Sequence, residues 1–459
     1  MNNSFQQMSA VLPAVTNGKK ILFACVPADG HFNPLTGLAV HLKSIGYDVR
    51  WYTSKEYAPK LEKLQIPHYR FKKALEVTGD SVDEIFPDRH KHKSQVAKLN
   101  YDLVNFFIAR STEYFADILT IRESFKFDLM IADCTFTAIP FVKEKLNIPV
   151  IAVGIIPLTE TSKNLPPSGL GLVPSKSIFG KIKESVLRLV ADKILFKKSN
   201  EVLRQLCYDN CLSYEGQNVF DFLTKKATLF LQSGTPGFEF ERSDLGKNIR
   251  YVGALLPYSA NSNKQPWFDE RLNKYEKVIL VTQGTVEKDV SKLIIPTLDA
   301  FKETDVLLIV TTGGSETQSL REKYPYANII IEDYIPFADV MPYCDVYVSN
   351  GGYGGVLLSI ENRVPMVVAG VHEGKIEINA RVGYFKLGVN LKTETPKSAQ
   401  VRKAVQTIFD DATFKQNVVR LAAEFESYDA KELTQKHVAQ LIETKTSVLT
   451  NKEQVEVVY

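Results

Sequence analysis

Residues 344–381 read Cys344-Asp345-Val346-Tyr347-Val348-Ser349-Asn350-Gly351-Gly352-Tyr353-Gly354-Gly355-Val356-Leu357-Leu358-Ser359-Ile360-Glu361-Asn362-Arg363-Val364-Pro365-Met366-Val367-Val368-Ala369-Gly370-Val371-His372-Glu373-Gly374-Lys375-Ile376-Glu377-Ile378-Asn379-Ala380-Arg381. A β-rich run, Asp345 to Ser349, stops at Asn350-Gly351-Gly352. A helical pattern follows, with Val356, Leu357 and Ile360 on one face. A second apolar run, Pro365 to Ala369, leads into a polar loop with His372, Glu373 and Lys375. Glycines at the mouth of a strand–loop–helix unit let backbone N–H groups approach an anion, and the helix N-terminus adds partial positive charge. An isolated Gly-Gly would indicate only a tight turn. Here Gly351, Gly352, Gly354 and Gly355 flank Tyr353, and the loop reads as a phosphate cradle.

The same strand–helix alternation runs outward from this stretch in both directions. Lys19 to Val26 has a buried-strand pattern and ends in Pro27-Ala28-Asp29-Gly30-His31-Phe32-Asn33-Pro34. A helix is expected next, capped by Asn33 with Pro34 at its first position and Leu35, Leu38, Ala39 and Leu42 as its apolar stripe. Strands are expected at Asp48 to Thr53, Asp128 to Ala132, Pro149 to Val153, Ala227 to Gln232 and Ile249 to Val252, with a helix from Phe136 to Leu146. Composition turns to Pro, Ser, Asn and Lys between Tyr251 and Tyr275, as in a linker. The pattern then restarts. Strands fall at Lys277 to Thr282, Asp305 to Thr311 and Asn328 to Ile331, with a helix at Lys288 to Phe301, and Ser398 to Thr444 reads as helix throughout. Such alternation predicts two doubly wound α/β domains, each a parallel sheet with helices on both faces, and a cleft between them.

The whole chain agrees with that architecture. At 459 residues it holds two domains of ordinary size. Apolar residues are 44% and charged residues 24%, a globular mix, and a net charge of +3 is too small for a nucleic-acid binder. The basic run Arg89 to Lys93 reads as a solvated loop. Five scattered cysteines point to a reducing, cytoplasmic setting rather than a disulfide framework. Met1 to Gly18 lacks the pattern of a secretory signal and is expected to be a flexible lead. The segment from Gly154 to Tyr208 interrupts the first domain with a Pro/Gly-rich loop and lysine-rich helices. The preferred reading of those helices is a core helix with a solvated face, and the alternative is a basic amphipathic helix resting on a membrane surface.

Ligands of doubly wound sheets bind beyond the carboxyl ends of the strands. Of the seven histidines, only His31 and His372 follow a strand end directly. His31 is the candidate general base, and Asp133, at another strand end, is placed to orient it and steady its protonated form. As plain structure, His31 would be a local cap and Asp133 an N-cap for the helix at Phe136, a task Thr135 could also serve. Thr285, Asn350, Gly351, Gly352 and Gly355 are candidates for holding phosphate oxygens, and Gly284, Gly313 and Gly354 join them as candidate donor-binding residues. Tyr334, before Ile335-Pro336, offers an aromatic face to a base, and His372, Glu373 and Lys375 form a cluster for sugar hydroxyls. The chain contains no Asp-x-Asp and no zinc, haem or iron–sulfur spacing, so no metal or other cofactor is expected. Gly-x-Gly-x-x-Gly is absent after the first strand, against a dinucleotide dehydrogenase.

Together these residues resemble the UDP-glycosyltransferases of the inverting GT-B type, especially the bacterial macrolide-glycosyltransferase-like branch, from about Lys19 to about Ile442. The resemblance implies that Gly30-His31-Phe32-Asn33-Pro34 supplies the base and that Asp133 pairs with it. It implies that Gly284-Thr285 contacts the diphosphate, that Tyr334-Ile335-Pro336 stacks on the nucleobase, and that Asn350-Gly351-Gly352 matches the phosphate loop. Glu361 is expected to hold the ribose. Three departures stand out: Asn350 replaces the family's His, Tyr334 its Trp, and Lys375-Ile376 its acidic-Gln sugar pair. The expected acceptor pocket involves Phe32, Phe136, Pro157, Leu158, Leu170 and Leu172. The expected plan is a lead (1–18), an acceptor domain (19–255), a linker (256–275), a nucleotide-sugar domain (276–428), a crossover helix (429–445) and a tail (446–459). The implied activity is transfer of a hexose from a UDP- or dTDP-sugar to a hydroxyl of a small apolar acceptor. A nucleotide-sugar epimerase and a non-catalytic binding protein are the alternatives. Oligomeric state is not legible from the sequence.

Overall fold

The structure is a computed structural model. It describes residues 18–77, 81–258, 266–284, 287–372 and 374–456, with side chains for all of these except 83 and 444–456. Thr285, Glu373, residues 1–17, 259–265 of the expected linker and 457–459 of the expected tail lie outside the described residues.

Two wholly parallel sheets form the frame. The first contains β1 (Lys20–Ala24), β2 (Asp48–Thr53), β3 (His68–Arg70), β4 (Leu129–Asp133), β5 (Val150–Gly154), β6 (Leu229–Gln232) and β7 (Ile249–Tyr251), in the order β3-β2-β1-β4-β5-β6-β7. The second contains β8 (Lys277–Thr282), β9 (Val306–Thr311), β10 (Ile329–Glu332), β11 (Val346–Ser349), β12 (Met366–Val368) and β13 (Gly388–Asn390), in the order β10-β9-β8-β11-β12-β13. Successive side chains of a strand point to opposite faces, and in a covered parallel sheet both faces are apolar. Ile21 and Phe23 accordingly enter one core and Leu22 and Ala24 the other. In the second sheet Val278 and Leu280 part in the same way from Ile279 and Val281. This is the GT-B architecture: two doubly wound domains. Two edge strands, β3 and β13, escape the sequence pattern because three residues with polar neighbours carry no period.

Three helix starts differ from expectation. The helix after β1 spans Asp29–Ser44, so Pro34 lies inside it and Asn33 is not its cap. Ala28 ends the preceding segment instead, its carbonyl accepting from the N–H groups of His31 and Phe32 at 2.9 Å each, with Asp29 in the first turn. The helix expected from Phe136 begins at Ile139, with Pro140 in its first turn. The helix expected from Lys288 covers Ile294–Phe301 because the Gln283 side-chain oxygen accepts from the N–H groups of Leu293 and Ile294, both at 2.9 Å.

The lysine-rich segment does not form the core helix preferred from its sequence. Of the helix Ile178–Val190 only Glu184 is buried, and the apolar side chains Ile178, Phe179, Ile182, Val186 and Leu189 are exposed. Among the described residues no helix is long and apolar enough to cross a membrane. The last helix, Ala430–Glu456, continues past residue 445. It returns to the first domain, where Val438 and Ile442 enter the core beside Leu35, Leu38 and Leu42. The His41 Nε2 and Gln435 Oε1 atoms are 3.0 Å apart along that contact.

Candidate active site

His31 lies in the first turn of the helix after β1, and Asp133 is the last residue of β4. β1 and β4 are hydrogen-bonded neighbours, with Ala24 opposite Ala132, so the two strand ends meet. His31 Nδ1 stands 3.0 Å from Asp133 Oδ1, with the Asp133 side chain fully buried and the His31 ring about one-fifth exposed (20%). Asp133 Oδ2 accepts from the Val26 N–H at 2.9 Å. Oδ1 also accepts from the Thr135 N–H at 2.8 Å and the Thr135 hydroxyl at 2.5 Å. An ionised carboxylate only accepts, so the proton belongs on His31 Nδ1 and Nε2 keeps its lone pair. Thr135 oxygen stands 3.2 Å from His31 Nδ1. In the sequence alone Thr135 reads only as a cap. Its place two residues beyond a buried strand-end carboxylate was the signal that it belongs to the pair. The neighbouring thiols of Cys25 and Cys134 are pushed up to about 12, by burial first and then by the Asp133 charge, so both stay protonated.

Across the second sheet, β10, β9, β8, β11 and β12 present their carboxyl ends side by side. Tyr334 donates its hydroxyl to the Gly313 carbonyl at 2.8 Å, and the residue is 69% exposed. The phenol is tethered and a face stays open. Ile335 is different: its side chain is buried in the core, so only its backbone could meet a ligand. Asn350 Nδ2 donates to the Gln283 carbonyl at 2.5 Å, tying the turn after β11 to the turn after β8. That geometry makes Asn350 a brace for the loops, with one of its two N–H bonds already directed to backbone.

The four glycines divide by task. Gly351 has φ +81°, gives its N–H to Ser349 Oγ at 3.1 Å, and would place a Cβ 1.8 Å from Asn379 Oδ1. It is required by the turn. A Cβ on Gly355 would lie 2.8 Å from the Tyr347 hydroxyl, whereas Gly352 and Gly354 have open space beside them. The helix Tyr353–Glu361 begins here, and the N–H groups of its first turn have no intrahelical acceptor. Gly284 and Gly313 direct their own N–H groups to Thr282 Oγ1 and the Asp333 carbonyl. The amides left open at these strand ends are therefore those around Gly352 to Gly355. Gly370, unnoticed in the sequence, permits a close approach: a Cβ there would come 2.2 Å from the Asn350 carbonyl and 3.1 Å from Lys375 Cδ. Lys375 thus lies beside this loop. The N–H groups of Val371 and His372 are held by Glu394. Glu361 is the last residue of the helix, about 12 Å along its axis from the open amides. Burial alone pushes its carboxyl up to about 7. The structure does not bring it to the loop.

The two halves are joined by side chains that sequence reading passed over. Tyr353 donates its hydroxyl to the Ser233 carbonyl, just beyond β6, at 2.7 Å. Its position between the glycine pairs pins the glycine loop to the first domain. The helix Asp29–Ser44, which carries His31, packs against the helix Tyr353–Glu361. Glu377 Oε1 accepts from the N–H groups of Gly169 and Gly171 at 2.9 and 2.8 Å, and Gly171 lies against Ile376. The Pro/Gly loop of the first domain is thereby strapped to the helix Lys375–Tyr384 of the second.

The residues expected to line the acceptor pocket separate clearly. Phe32 is buried and stacks on Tyr57 at a 4.4 Å centroid distance, and Phe136 is buried against Tyr52 and Tyr114. Both are core residues, because the earlier helix start turns Phe32 inward and the aromatic cluster claims Phe136. Pro157 is buried. Leu158 is buried too, though it borders a small recess with Leu165, Leu172, Phe240 and Arg381. Leu170 is half-buried and Leu172 exposed, on the strapped loop.

Comparison with known proteins places this geometry in a family. Residues 296–441 match the family model of the erythromycin biosynthesis protein CIII-like C-terminal domain. The chain is 31% identical over 414 residues to 4'-demethylrebeccamycin synthase of Lentzea aerocolonigenes, spanning 90% of this chain and 97% of that one. It is 36% identical over 207 residues to UDP-glycosyltransferase 2 of Phaeomoniella chlamydospora, spanning 44% of this chain and 46% of that relative. A solved structure of spinosyn rhamnosyltransferase SpnG complexed with thymidine diphosphate shares the fold at TM-score 0.65 and 13% identity, covering 92% of this chain and all of that one (100%). The chain therefore belongs to the UDP-glycosyltransferase family, macrolide type, and is a glycosyltransferase.

Proposed function

We propose that the enzyme transfers a hexose from a nucleoside diphosphate sugar, a UDP-sugar first and a dTDP-sugar second, to a hydroxyl of a small, largely apolar acceptor, with inversion at the anomeric carbon. One observation carries this reading: His31 Nδ1 stands 3.0 Å from a fully buried carboxylate whose other acceptor sites are engaged, so Nε2 is held ready to take a proton. As the acceptor oxygen forms its bond to the anomeric carbon, His31 Nε2 takes the hydroxyl proton. The bond from that carbon to the diphosphate oxygen breaks, and the electron pair leaves with the diphosphate. Asp133 steadies the imidazolium.

The leaving group's growing charge meets the open amides at the start of the helix Tyr353–Glu361, with Lys375 beside them. No resident metal is needed in this account, because the fixed dipoles of the open amides meet the departing charge. The exposed, tethered face of Tyr334 supports a stacking role for the nucleobase. The strapped loop 165–172 and its recess support an acceptor site at the domain boundary. A relative named as a UDP-glycosyltransferase and a structural neighbour holding thymidine diphosphate support a nucleotide-sugar donor over the epimerase and accessory-protein alternatives. The test is a mass-spectrometric screen of the purified enzyme against UDP- and dTDP-sugars with phenolic, sterol and macrolide acceptors, followed by assignment of the product anomer. Product carrying the donor's own anomeric configuration, or donor isomerised without acceptor, would overturn the proposal.

A further inference from the structure

The helix Ile178–Val190 is inside out for a globular protein. A helix on a soluble domain turns its apolar stripe to the core and its charges to water. Here Ile178 is 77%, Phe179 86%, Ile182 58%, Val186 54% and Leu189 63% exposed, while the single buried side chain is Glu184. The polar face does the anchoring. Glu184 Oε1 accepts from the Ser175 N–H at 2.5 Å, and Arg188 Nη1 donates to the Leu165 carbonyl at 2.6 Å. Those contacts hold the helix to the loop 165–175 and leave its apolar face pointing away from the molecule.

The charge around that face names its partner. Ile178, Ile182, Val186 and Leu189 recur at helical spacing, and at 100° per residue Lys181 and Lys183 fall on opposite flanks of the stripe. Residues 176–198 hold seven basic and two acidic side chains, a net +5 within a chain of net +3. One acidic side chain, Glu184, is turned inward, and the other, Asp192, is paired with Lys193 at 2.8 Å. A second copy of this chain seated on the face would set lysine against lysine. We propose that this helix docks the enzyme on an anionic phospholipid surface, its apolar stripe entering the boundary between headgroups and acyl chains and its lysines meeting lipid phosphates. Lysine stems reach along the apolar face while their ammonium groups stay at headgroup level. Leu172 and Val173, on the loop just before the helix, are also exposed, and Leu172 borders the recess beside Arg381.

The test is co-sedimentation of the full chain with phosphatidylcholine vesicles and with vesicles in which roughly a third of the lipid is phosphatidylglycerol. The expected result is binding to the anionic vesicles alone, declining as salt is raised. Phe179→Glu with Ile182→Glu should weaken partitioning by at least about tenfold. Lys181→Glu with Lys183→Glu should weaken it by roughly the same factor, and serves if the first variant fails a thermal-unfolding check of its fold. Absence of wild-type binding overturns the proposal, as does binding unchanged in the folded variants. A dimer seen by light scattering that Phe179→Glu dissociates also overturns it, by assigning the face to a second copy.

Discussion

Arg381 and Glu239 meet across the domain boundary, Arg381 Nε and Nη2 donating to Glu239 Oε2 at 2.9 and 2.8 Å, each side chain 3% exposed. The network continues on both sides. Glu239 Oε1 accepts from the Leu158 N–H at 2.8 Å, the Arg381 guanidinium lies over the Phe240 ring at 4.5 Å, and Glu377 flanks it at 3.3 Å. Removing one member of a buried pair leaves the other charge unmatched. Arg381→Leu should lower unfolding stability by about 3 kcal/mol. The double variant with Glu239→Gln should lose less than the sum of the singles. Chemical denaturation measures both, and strict additivity would show that the pair is not coupled.

Glu377 holds the Pro/Gly loop through two backbone amides, so Glu377→Ala should release the strap. Gly169 and Gly171 amides should then exchange with solvent faster, and acceptor KM should rise by about five- to tenfold, with donor KM changing less. Hydrogen exchange together with initial-rate kinetics reads both effects. Protection unchanged at residues 165–173 would contradict this role.

In the proposed mechanism Thr135 positions the His31–Asp133 pair. Thr135→Val keeps the shape and removes the hydroxyl that bonds Asp133 Oδ1, so kcat should fall by about tenfold with donor affinity unchanged, while Thr135→Ser should restore most of it. Equal kcat in the Val and Ser variants would assign Thr135 to packing alone.

Glu361 gives a pH-dependent prediction. Burial raises its folded-state pKa to about 7 from the ordinary carboxylate range, so the folded state disfavours the charged form. Below the unfolded pKa the side chain is neutral in both states and costs nothing. As pH climbs towards 7 the unfolded chain ionises first and the penalty grows, then levels off above the folded pKa. Glu361→Gln should therefore stabilise the protein at pH 8 by on the order of 1–2 kcal/mol after solvent screening, and leave it nearly unchanged at pH 4. Thermal melts at the two pH values check this. A large loss of donor affinity in the same variant would return Glu361 to the ribose.

The residues show why some of this was legible in sequence. Strand ends announce themselves, because an apolar run broken by Asp29, Asp133, Gly284 or Asn350 has a visible edge, and parallel sheets collect such edges on one side. The alternation of β1 and β8 across two cores was likewise written in their apolar runs. Side-chain direction is not written there. Phe32 and Phe136 look like pocket residues beside a motif, yet the helix start at Asp29 and the Tyr52–Tyr114 cluster draw them inward. The exposed stripe of the helix Ile178–Val190 has the period of a core helix, and period alone does not say which side faces the protein. Long-range partners were invisible for the same reason: nothing near Arg381 in sequence points to Glu239, 142 residues away.

In the proposed reaction His31 is the base and the opposite domain holds the donor. The most direct measurement is the single-turnover transfer rate of His31→Ala to a hydroxyl acceptor, beside the donor dissociation constant of the same variant. The predicted result is a rate at least about a hundredfold lower with donor binding unchanged within about twofold. Full transfer by His31→Ala would contradict the account.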